Sequence, residues 1–295
     1  MQDLRVYVSN FLANGASSRK NDSGDYVGVL TLEVDGYSVE LEQVFVPIGK
    51  DVKKHNGKKI GTTEIIVRKV ESKDTKKVLK MCDRLCWLMT LAGLTMSCRY
   101  AYDYPDGQRR EERTVIGSLN KFRPTLNLED GKSVQTYMQN GYLQFKNYEK
   151  ARDLTAVINY LANAHSHEMP LQFKLLGCFV VLESLKSTFA ENSSIPFIAG
   201  SYRKGKNPTR KSPKYTFEEL VKMMLREQGL KFGLRRIIKL RNDIVHTGYT
   251  KRTFKHQLTQ FERINDILRV YLLSLLNYEG EYPVYSKANS FYNEI

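Results

Sequence analysis

The sequence predicts an α+β fold in which a β-rich N-terminal domain, residues 1–130, precedes an all-α C-terminal domain, residues 131–295. Apolar and polar residues alternate through much of the first seventy positions, which is typical of half-buried strands. From about Ser133 onward, apolar residues recur instead at spacings of three and four, which is typical of helices. A chain of 295 residues can form one large domain or two ordinary ones, with a proper core in either case.

A β-hairpin is the clearest local prediction in the N-terminal domain. Asp35-Gly36 separates two β-rich runs, and both turn positions of such a hairpin need a positive φ. A second hairpin is predicted around Pro105-Asp106-Gly107. The predicted strands cover residues 4–8, 26–34, 37–42, 64–70, 97–104 and 108–116, with polar loops at 14–24 and 49–61 and a linker at 124–132.

The helices are predicted from apolar periodicity and from capping residues. Thr216 is a suitable N-cap because Glu218 and Glu219 follow it in the first turn, where the helix dipole favours acids. Gly248 is a suitable C-cap for the helix that precedes it. The predicted helices cover residues 74–93, 134–146, 148–164, 171–189, 216–229, 231–246 and 251–277.

One acid stands out on the helix predicted over 171–189, which is otherwise apolar nearly all round and is therefore expected at the centre of a bundle. This mid-helix acid is Glu183. A carboxylate on so apolar a helix usually pairs with a cation. Glu183 therefore either packs against an arginine of the helix over 231–246 or emerges at the bundle surface.

The cysteines predict neither a disulfide framework nor a metal site. Cys82 and Cys86 lie four residues apart on one helix face, but no further cysteine or histidine pair has a suitable spacing. We therefore expect both thiols in the core. His165 and His167 offer two ligands without a third nearby, so we interpret them as loop histidines and predict no metal and no other cofactor.

Hydropathy predicts a cytoplasmic protein without a membrane partner. No apolar run reaches the roughly eighteen residues that a transmembrane helix needs. The N-terminus, residues 1–5, lacks the basic start and the apolar stretch of a signal peptide.

The net charge of +14 is concentrated in one part of the sequence. Between Arg203 and Lys255, sixteen Lys or Arg stand against four Asp or Glu, which leaves a net charge of +12. Such a field attracts a polyanion by steering and by counterion release. A solvated, solubilising face is the alternative interpretation, and the motif inside this window favours nucleic acid.

A polar segment, Asn192–Tyr215, interrupts the helices with several glycines and prolines, six basic residues and no acid. We expect it to be too polar to pack and long enough to be mobile. It is interpreted either as a flexible loop that grips RNA or as a merely disordered segment.

The stretch with the clearest chemistry is Arg241-Asn242-Asp243-Ile244-Val245-His246. Cleaving RNA without a metal requires a base for the 2′-hydroxyl proton, positive charge for the transition state and an acid for the leaving 5′-oxygen. A histidine can be acid or base near neutral pH because its reference pKa is about 6.5, and an arginine is a forked donor matched to phosphate. Arg241 and His246 are therefore candidate catalytic residues, with Asn242 and Asp243 beside them. The expected contacts to the RNA backbone are Arg235, Arg236, Lys239, Lys251 and Arg252.

Helical geometry limits what one copy of this motif can do. Asn242 and His246 are four residues apart and share a helix face, so the amide can orient the imidazole. Arg241 is five residues from His246, or roughly 140° around the axis. Either the helix unwinds at Thr247-Gly248, or a second subunit completes the site.

The hexapeptide resembles the R-(N/H)-x3-H signature of the HEPN superfamily, and the helices around residues 173–189 and 234–248 are similar to its Apea-like branch. The resemblance covers roughly residues 133–295. It implies a helical bundle that dimerises through the motif helices. It also implies a metal-independent endoribonuclease that leaves a 2′,3′-cyclic phosphate, commonly in phage defence or toxin systems, with RNA (tRNA is one candidate) as its substrate. By this resemblance Arg241 and His246 are the catalytic pair, and Asn242 is the supporting polar residue.

Other interpretations of the same residues are open. Many members of the superfamily have lost catalysis and act only as binding or dimerising modules. A purely structural alternative has His246 capping helix carbonyls and Arg241 pairing with Glu183. Some Apea-like proteins carry an N-terminal domain of this general kind, which would sense a phage protein or another trigger, or restrain the nuclease.

Overall fold

The chain forms two compact units. They comprise Met1–Lys146, His165–His167 and Leu276–Ile295 in the first unit, and Asn147–Ala164 and Glu168–Leu275 in the second. The computed structural model describes residues 2–20, 24–44, 57–103, 109–111, 118–119, 123–166, 168–286 and 292–294. It confirms the α+β fold class, because an antiparallel sheet is followed by a helical C-terminal region. None of the helices in these ranges combines the length and the apolar character that crossing a membrane requires.

A seven-stranded antiparallel sheet, in the order β2-β3-β4-β5-β1-β6-β7, organises the first unit. Its strands are β1 (Gln2–Ser9), β2 (Ser17–Lys20), β3 (Tyr26–Val34), β4 (Tyr37–Gln43), β5 (Gly61–Val70), β6 (Arg99–Asp103) and β7 (Arg109–Glu111). The predicted Asp35-Gly36 turn joins β3 to β4, and both residues have a positive φ. The strand β2 lies inside a predicted polar loop, because its backbone pairs with β3 while its side chains stay polar.

Parts of the predicted β-structure lie outside the described residues. The turn at 105–107 is one of them, although β6 and β7 on either side of it pair antiparallel. Residues 49–56 of the predicted loop are another. The sequence also gave no indication of a short C-terminal pair, β10 (Glu281–Pro283) with β11 (Tyr292–Glu294).

The helix α2 (Gly131–Tyr148) joins the first unit through its side chains. Gln139 accepts a hydrogen bond from the Glu33 amide and donates one to the Glu33 carbonyl, both at 2.8 Å. The Tyr142 hydroxyl donates to the Asp35 carboxylate at 2.6 Å. The two bonds of Gln139 provide partners for the backbone of Glu33, in the part of β3 that does not pair with β2. The boundary between the compact units falls after Lys146, whereas the sequence placed the end of the N-terminal domain at residue 130.

The helix α1 (Thr75–Gly93) places its thiols in the core, as predicted. Cys82 and Cys86 are buried, and neither forms a disulfide. Burial raises the pKa of the Cys82 thiol to about 12. Among the described residues, no group of three or more His, Cys, Asp or Glu side chains could hold a metal ion. His165 is buried, whereas His167 lies outside the described ranges.

Five helices form most of the second unit. They are α3 (Leu154–Ala164), α4 (Leu171–Asn192), α5 (Phe217–Glu227), α6 (Arg235–Thr247) and α7 (Phe254–Leu275). The helix α4 contacts each of the other four, which confirms its predicted central position. The helix α3 begins six residues later than predicted, because Asp153 has a φ of +49° that a regular helix does not accommodate.

The segment 192–215 is folded, so the expectation that it is too polar to pack is wrong. It contains β8 (Phe197–Ile198) and β9 (Ser201–Tyr202), and an antiparallel bridge joins Arg203 to Lys214. Tyr202 is buried against Ala190 of α4 and Leu220 of α5. The buried ring of Tyr202 and the hydrogen bonds of the buried Arg203 side chain order this segment. Its average polarity had predicted a loose one.

Candidate functional site

The helix α6 carries the motif and ends directly after it. Gly248 follows the last helical residue with a φ of +75°, and its amide donates to the Ile244 carbonyl at 2.9 Å. This is the left-handed C-cap that the sequence predicted. The Thr247 hydroxyl lies 2.6 Å from the Asp243 carbonyl oxygen, as in a hydrogen-bonded final turn. His246 therefore lies in the last turn of a helix that stays regular through the motif.

The solvent-facing side of α6 combines two cations, an amide and an imidazole. Arg235, Lys239, Asn242 and His246 are all exposed, and their spacings of four, three and four place them on one face. The opposite face is buried through Ile237, Leu240 and Ile244. No hydrogen bond, ion pair or ring contact within the described ranges involves the imidazole of His246. The ring is therefore accessible from solvent.

Arg241 points away from that face and is held by three neighbours. Its Nη2 donates to Oε1 of Glu183 on α4, and its Nη1 donates to Oδ1 of Asn242 at 3.0 Å. Its guanidinium carbon lies 4.6 Å from the ring centroid of Phe217 at the start of α5. Of the two alternatives for Glu183, the structure therefore shows the contact with an arginine of the motif helix.

The carboxylate of Glu183 is shared between two cations. Its Oε2 accepts a hydrogen bond from Nζ of Lys186 at 2.6 Å, and Lys186 Nζ also lies 5.5 Å from the Phe217 ring centroid. We call Glu183, Lys186, Phe217 and Arg241 the Arg241 cluster. Lys186 could have been inferred from its position three residues after Glu183 on a helix. Phe217 gave no such signal, because only the packing of α5 brings it to this place.

The other predicted supporting contacts differ from the sequence interpretation. Asn242 interacts with Arg241 and makes no hydrogen bond to His246. Asp243 faces Arg252, with 3.8 Å between the carboxylate oxygen and Nε. Arg241 and His246 do not contact each other, as their roughly 140° separation around the helix requires. A single chain therefore does not bring the predicted catalytic pair together.

Each of the four acids between residues 203 and 255 forms an ion pair with a nearby cation. Their pairs are Glu218 with Lys222, Glu219 with Lys204, Glu227 with Arg152, and Asp243 with Arg252. The five predicted RNA contacts, Arg235, Arg236, Lys239, Lys251 and Arg252, are all exposed. Because sixteen Lys or Arg stand against these four acids between residues 203 and 255, the surface around α6 presents net positive charge to a ligand.

Comparisons with protein-family models, with curated proteins and with solved structures found no match. The helix α6 provides an accessible imidazole, a restrained guanidinium and an exposed cationic surface.

Proposed function

We propose that this protein is a metal-independent RNA endonuclease of the HEPN type that acts as a homodimer. The observation that supports the proposal most is the exposed imidazole of His246 on the same face of α6 as Lys239 and Asn242. In the proposed reaction the 2′-hydroxyl oxygen attacks the phosphorus, and the bond to the 5′-oxygen breaks. The products are a 2′,3′-cyclic phosphate and a 5′-hydroxyl end.

The residues have distinct roles in this reaction. His246 transfers a proton at the 2′-oxygen or at the leaving 5′-oxygen. Arg241 stabilises the charge that develops on the phosphate oxygens, and Glu183 positions its guanidinium. Asn242 contributes a polar contact beside them. The RNA backbone binds to Arg235, Arg236, Lys239, Lys251 and Arg252.

A second copy of the chain solves the geometric problem of the site. Arg241 and His246 lie on different sides of α6, so two motif helices that face each other across a two-fold axis would place both residue types in one cleft. Val245 and Tyr249 are 42% and 52% exposed beside His246. Such a pairing would bury these two apolar side chains.

The biological setting follows from the resemblance. A ribonuclease of this type would act in the cytoplasm as a phage-defence or toxin effector, on tRNA or another RNA. The N-terminal unit would then recognise the trigger, a phage protein or another ligand, or restrain the nuclease.

A non-catalytic RNA-binding or nucleotide-binding and dimerisation module is the second candidate. The contacts of Arg241 favour it, because Glu183, Asn242 and Phe217 all engage its guanidinium in a single chain. In such a module Arg241 would stabilise the fold, while the cations of α6 would bind the polyanion.

Cleavage assays with chelated metal separate the two candidates. Wild-type protein should convert structured RNA to fragments with cyclic-phosphate ends, whereas His246→Ala should bind RNA and sediment like wild type without cleaving it. His256→Ala is the matched control, since it removes a half-buried histidine from α7 of the same unit. Equal cleavage by His246→Ala, or activity that depends wholly on magnesium, contradicts the proposed mechanism.

A further inference from the structure

A small β-structure precedes α5, in which β8 and β9 pair antiparallel and one bridge joins Arg203 to Lys214. We call residues 196–215 the basic element. Its residues 202–204 are hydrogen-bonded on both sides. The Arg203 amide donates to the Pro196 carbonyl, and the Lys204 amide donates to the Pro213 carbonyl, both at 2.9 Å. The Tyr215 amide donates to the Tyr202 carbonyl, also at 2.9 Å. The backbone of the element is therefore hydrogen-bonded to a flanking segment on each side.

Three side chains fix the basic element to itself and to the helices. Arg203 is only 6% exposed, and its Nη1 donates to the Ser212 carbonyl at 2.8 Å. Tyr202 packs into the cluster beneath it. Lys204 pairs with Glu219, whose carboxylate also accepts from the Thr216 amide in the capping box of α5. A surface that is already ordered loses little conformational entropy when it binds a ligand.

The exposed part of the basic element carries only positive charge. Lys206, Arg210, Lys211 and Lys214 are exposed, and none has a salt-bridge partner in the described part of the chain. The closest acid in sequence is Glu218, which pairs with Lys222, and the next is Glu219, which pairs with Lys204. Four neighbouring cations without a counter-charge are the electrostatic pattern of a phosphate-backbone contact.

An exposed aromatic ring lies in the same element. Phe197 on β8 is 62% exposed, and its ring meets Tyr202 edge-on with 4.9 Å between the centroids. Phe197 lies opposite Tyr202, and Lys214 lies opposite Arg203, so these two positions are on either side of the segment 202–203. An exposed aromatic ring provides a stacking surface for unpaired bases, and such stacking tolerates any base.

We propose that the basic element binds a single-stranded segment of RNA, with its four exposed cations on the phosphates and Phe197 stacked on a base. The choice of RNA rests on the proposed function. A lipid surface fits less well, because the tip between Gly205 and Thr209 presents no large apolar side chain that could enter a membrane.

The element is connected to the proposed cleavage site through Lys186. The Lys186 Nζ lies 5.8 Å from the ring centroid of Tyr202, at the base of the element. The same Nζ lies 2.6 Å from the Glu183 carboxylate in the Arg241 cluster. RNA bound to the element would therefore continue towards Arg241. The element would hold the strand on one side of the bond that is cleaved.

The charge contribution is measured by binding of an unstructured, fluorescently labelled RNA, with metal chelated. The host is full-length His246→Ala protein, so that cleavage does not disturb the measurement. A plot of log affinity against log salt concentration has a negative slope. Changing all four cations to Gln should reduce the magnitude of that slope by up to about 3, at about 0.7 per phosphate contact for a single strand. The matched control carries four Lys→Gln changes at exposed positions of the first unit, Lys58, Lys59, Lys76 and Lys80. Equal slopes for the two variants overturn the proposal.

The stacking contribution is measured with Phe197→Ala and Phe197→Tyr. The alanine variant should bind unstructured RNA roughly five- to one-hundred-fold more weakly, and the tyrosine variant should bind it normally. Affinity for duplex RNA should change little in either variant. Tyr26→Ala is the control, since it removes a 69% exposed ring from the first unit. Unchanged affinity of Phe197→Ala, or tighter binding of the wild type to anionic lipid vesicles than to RNA, overturns the proposal.

This proposal and the cleavage mechanism can fail separately. If wild-type protein does not cleave RNA but the four-charge variant loses affinity, the binding element stands and the endonuclease proposal fails. If the four changes leave affinity unaltered in the His246→Ala host and leave cleavage unaltered in the wild-type background, the endonuclease proposal stands and the binding element fails.

Discussion

Replacing Glu183 by glutamine tests the Arg241 cluster directly, because one carboxylate serves two cations. The Glu183 oxygens accept from Arg241 and from Lys186, and both of these cations also lie against the ring of Phe217. A glutamine keeps one acceptor oxygen and loses the negative charge. Two positive side chains would then face each other without an anion between them.

The size of the effect follows from how far the three side chains are buried. Glu183 is 32% exposed, Arg241 18% and Lys186 13%. Removing one partner of a fully buried ion pair costs about 3–5 kcal/mol, whereas exposed pairs contribute at most about 1 kcal/mol. After discounting for the partial exposure of Glu183, we expect a loss of about 1–3 kcal/mol in the free energy of unfolding.

Urea unfolding followed by helical ellipticity is the appropriate assay. The single tryptophan, Trp87, lies on α1 in the first unit, whereas helical ellipticity includes the helices of the second unit. Glu218→Gln is the matched control, because it removes a partly exposed carboxylate that pairs with Lys222 one turn away. We expect that control to lose less than about 0.5 kcal/mol.

A double-mutant cycle decides whether Glu183 and Arg241 act together. Glu183→Gln and Arg241→Gln should show a coupling energy of about 1 kcal/mol or more, because each removes the same charged contact. A coupling energy near zero, or equal losses in Glu183→Gln and Glu218→Gln, would refute the assignment of these residues to one cluster.

The remaining predictions concern the ends of α6 and α5. Gly248→Ala should cost about 1 kcal/mol in unfolding free energy, because residue 248 has a φ of +75°. Gly233→Ala should be nearly neutral, because Gly233 lacks a left-handed φ and an added Cβ would meet open space. Urea unfolding of both variants checks this, and equal losses contradict it. Lys204 lowers the pKa of Glu219 to about 2, from 4.5 for the free side chain. The stabilisation from ionised Glu219 should be complete above about pH 4.5 and be lost as the pH falls towards 2. The protection factors of the Lys204 and Thr216 amides, which correct for the intrinsic pH dependence of exchange, should fall over that range in wild type but not in Glu219→Gln; identical pH profiles would contradict this.

Local signals in the sequence were sufficient for several elements because their cause is local. The Asp35-Gly36 turn, the N-cap at Thr216 and the left-handed cap at Gly248 each depend on residues a few positions apart. The apolar spacing around Cys82 was enough to predict that its helix face is buried. Such features can be predicted without knowing which helices and strands pack together.

Pairing between elements explains what the sequence did not show. The strand β2 and the basic element are rich in polar side chains, and their order comes from backbone pairing with neighbouring segments and from one buried arginine. The helix α2 was assigned to the helical domain by its periodicity, but Gln139 and Tyr142 bond it to the sheet. Apolar periodicity identifies a helix and the side it buries. It does not identify the element against which that side packs.

The proposed site shows the same division. By itself the sequence predicted the type of chemistry, through the Arg241–His246 hexapeptide, and determined the separation of its two ends around a helix. Only the tertiary structure decided that Glu183 pairs with Arg241, that Phe217 and Lys186 join them, and that His246 stays exposed. The physical reason is that α4, α5 and α6 meet through packing of side chains far apart in the chain. That packing determines which polar groups are buried together and which remain in solvent.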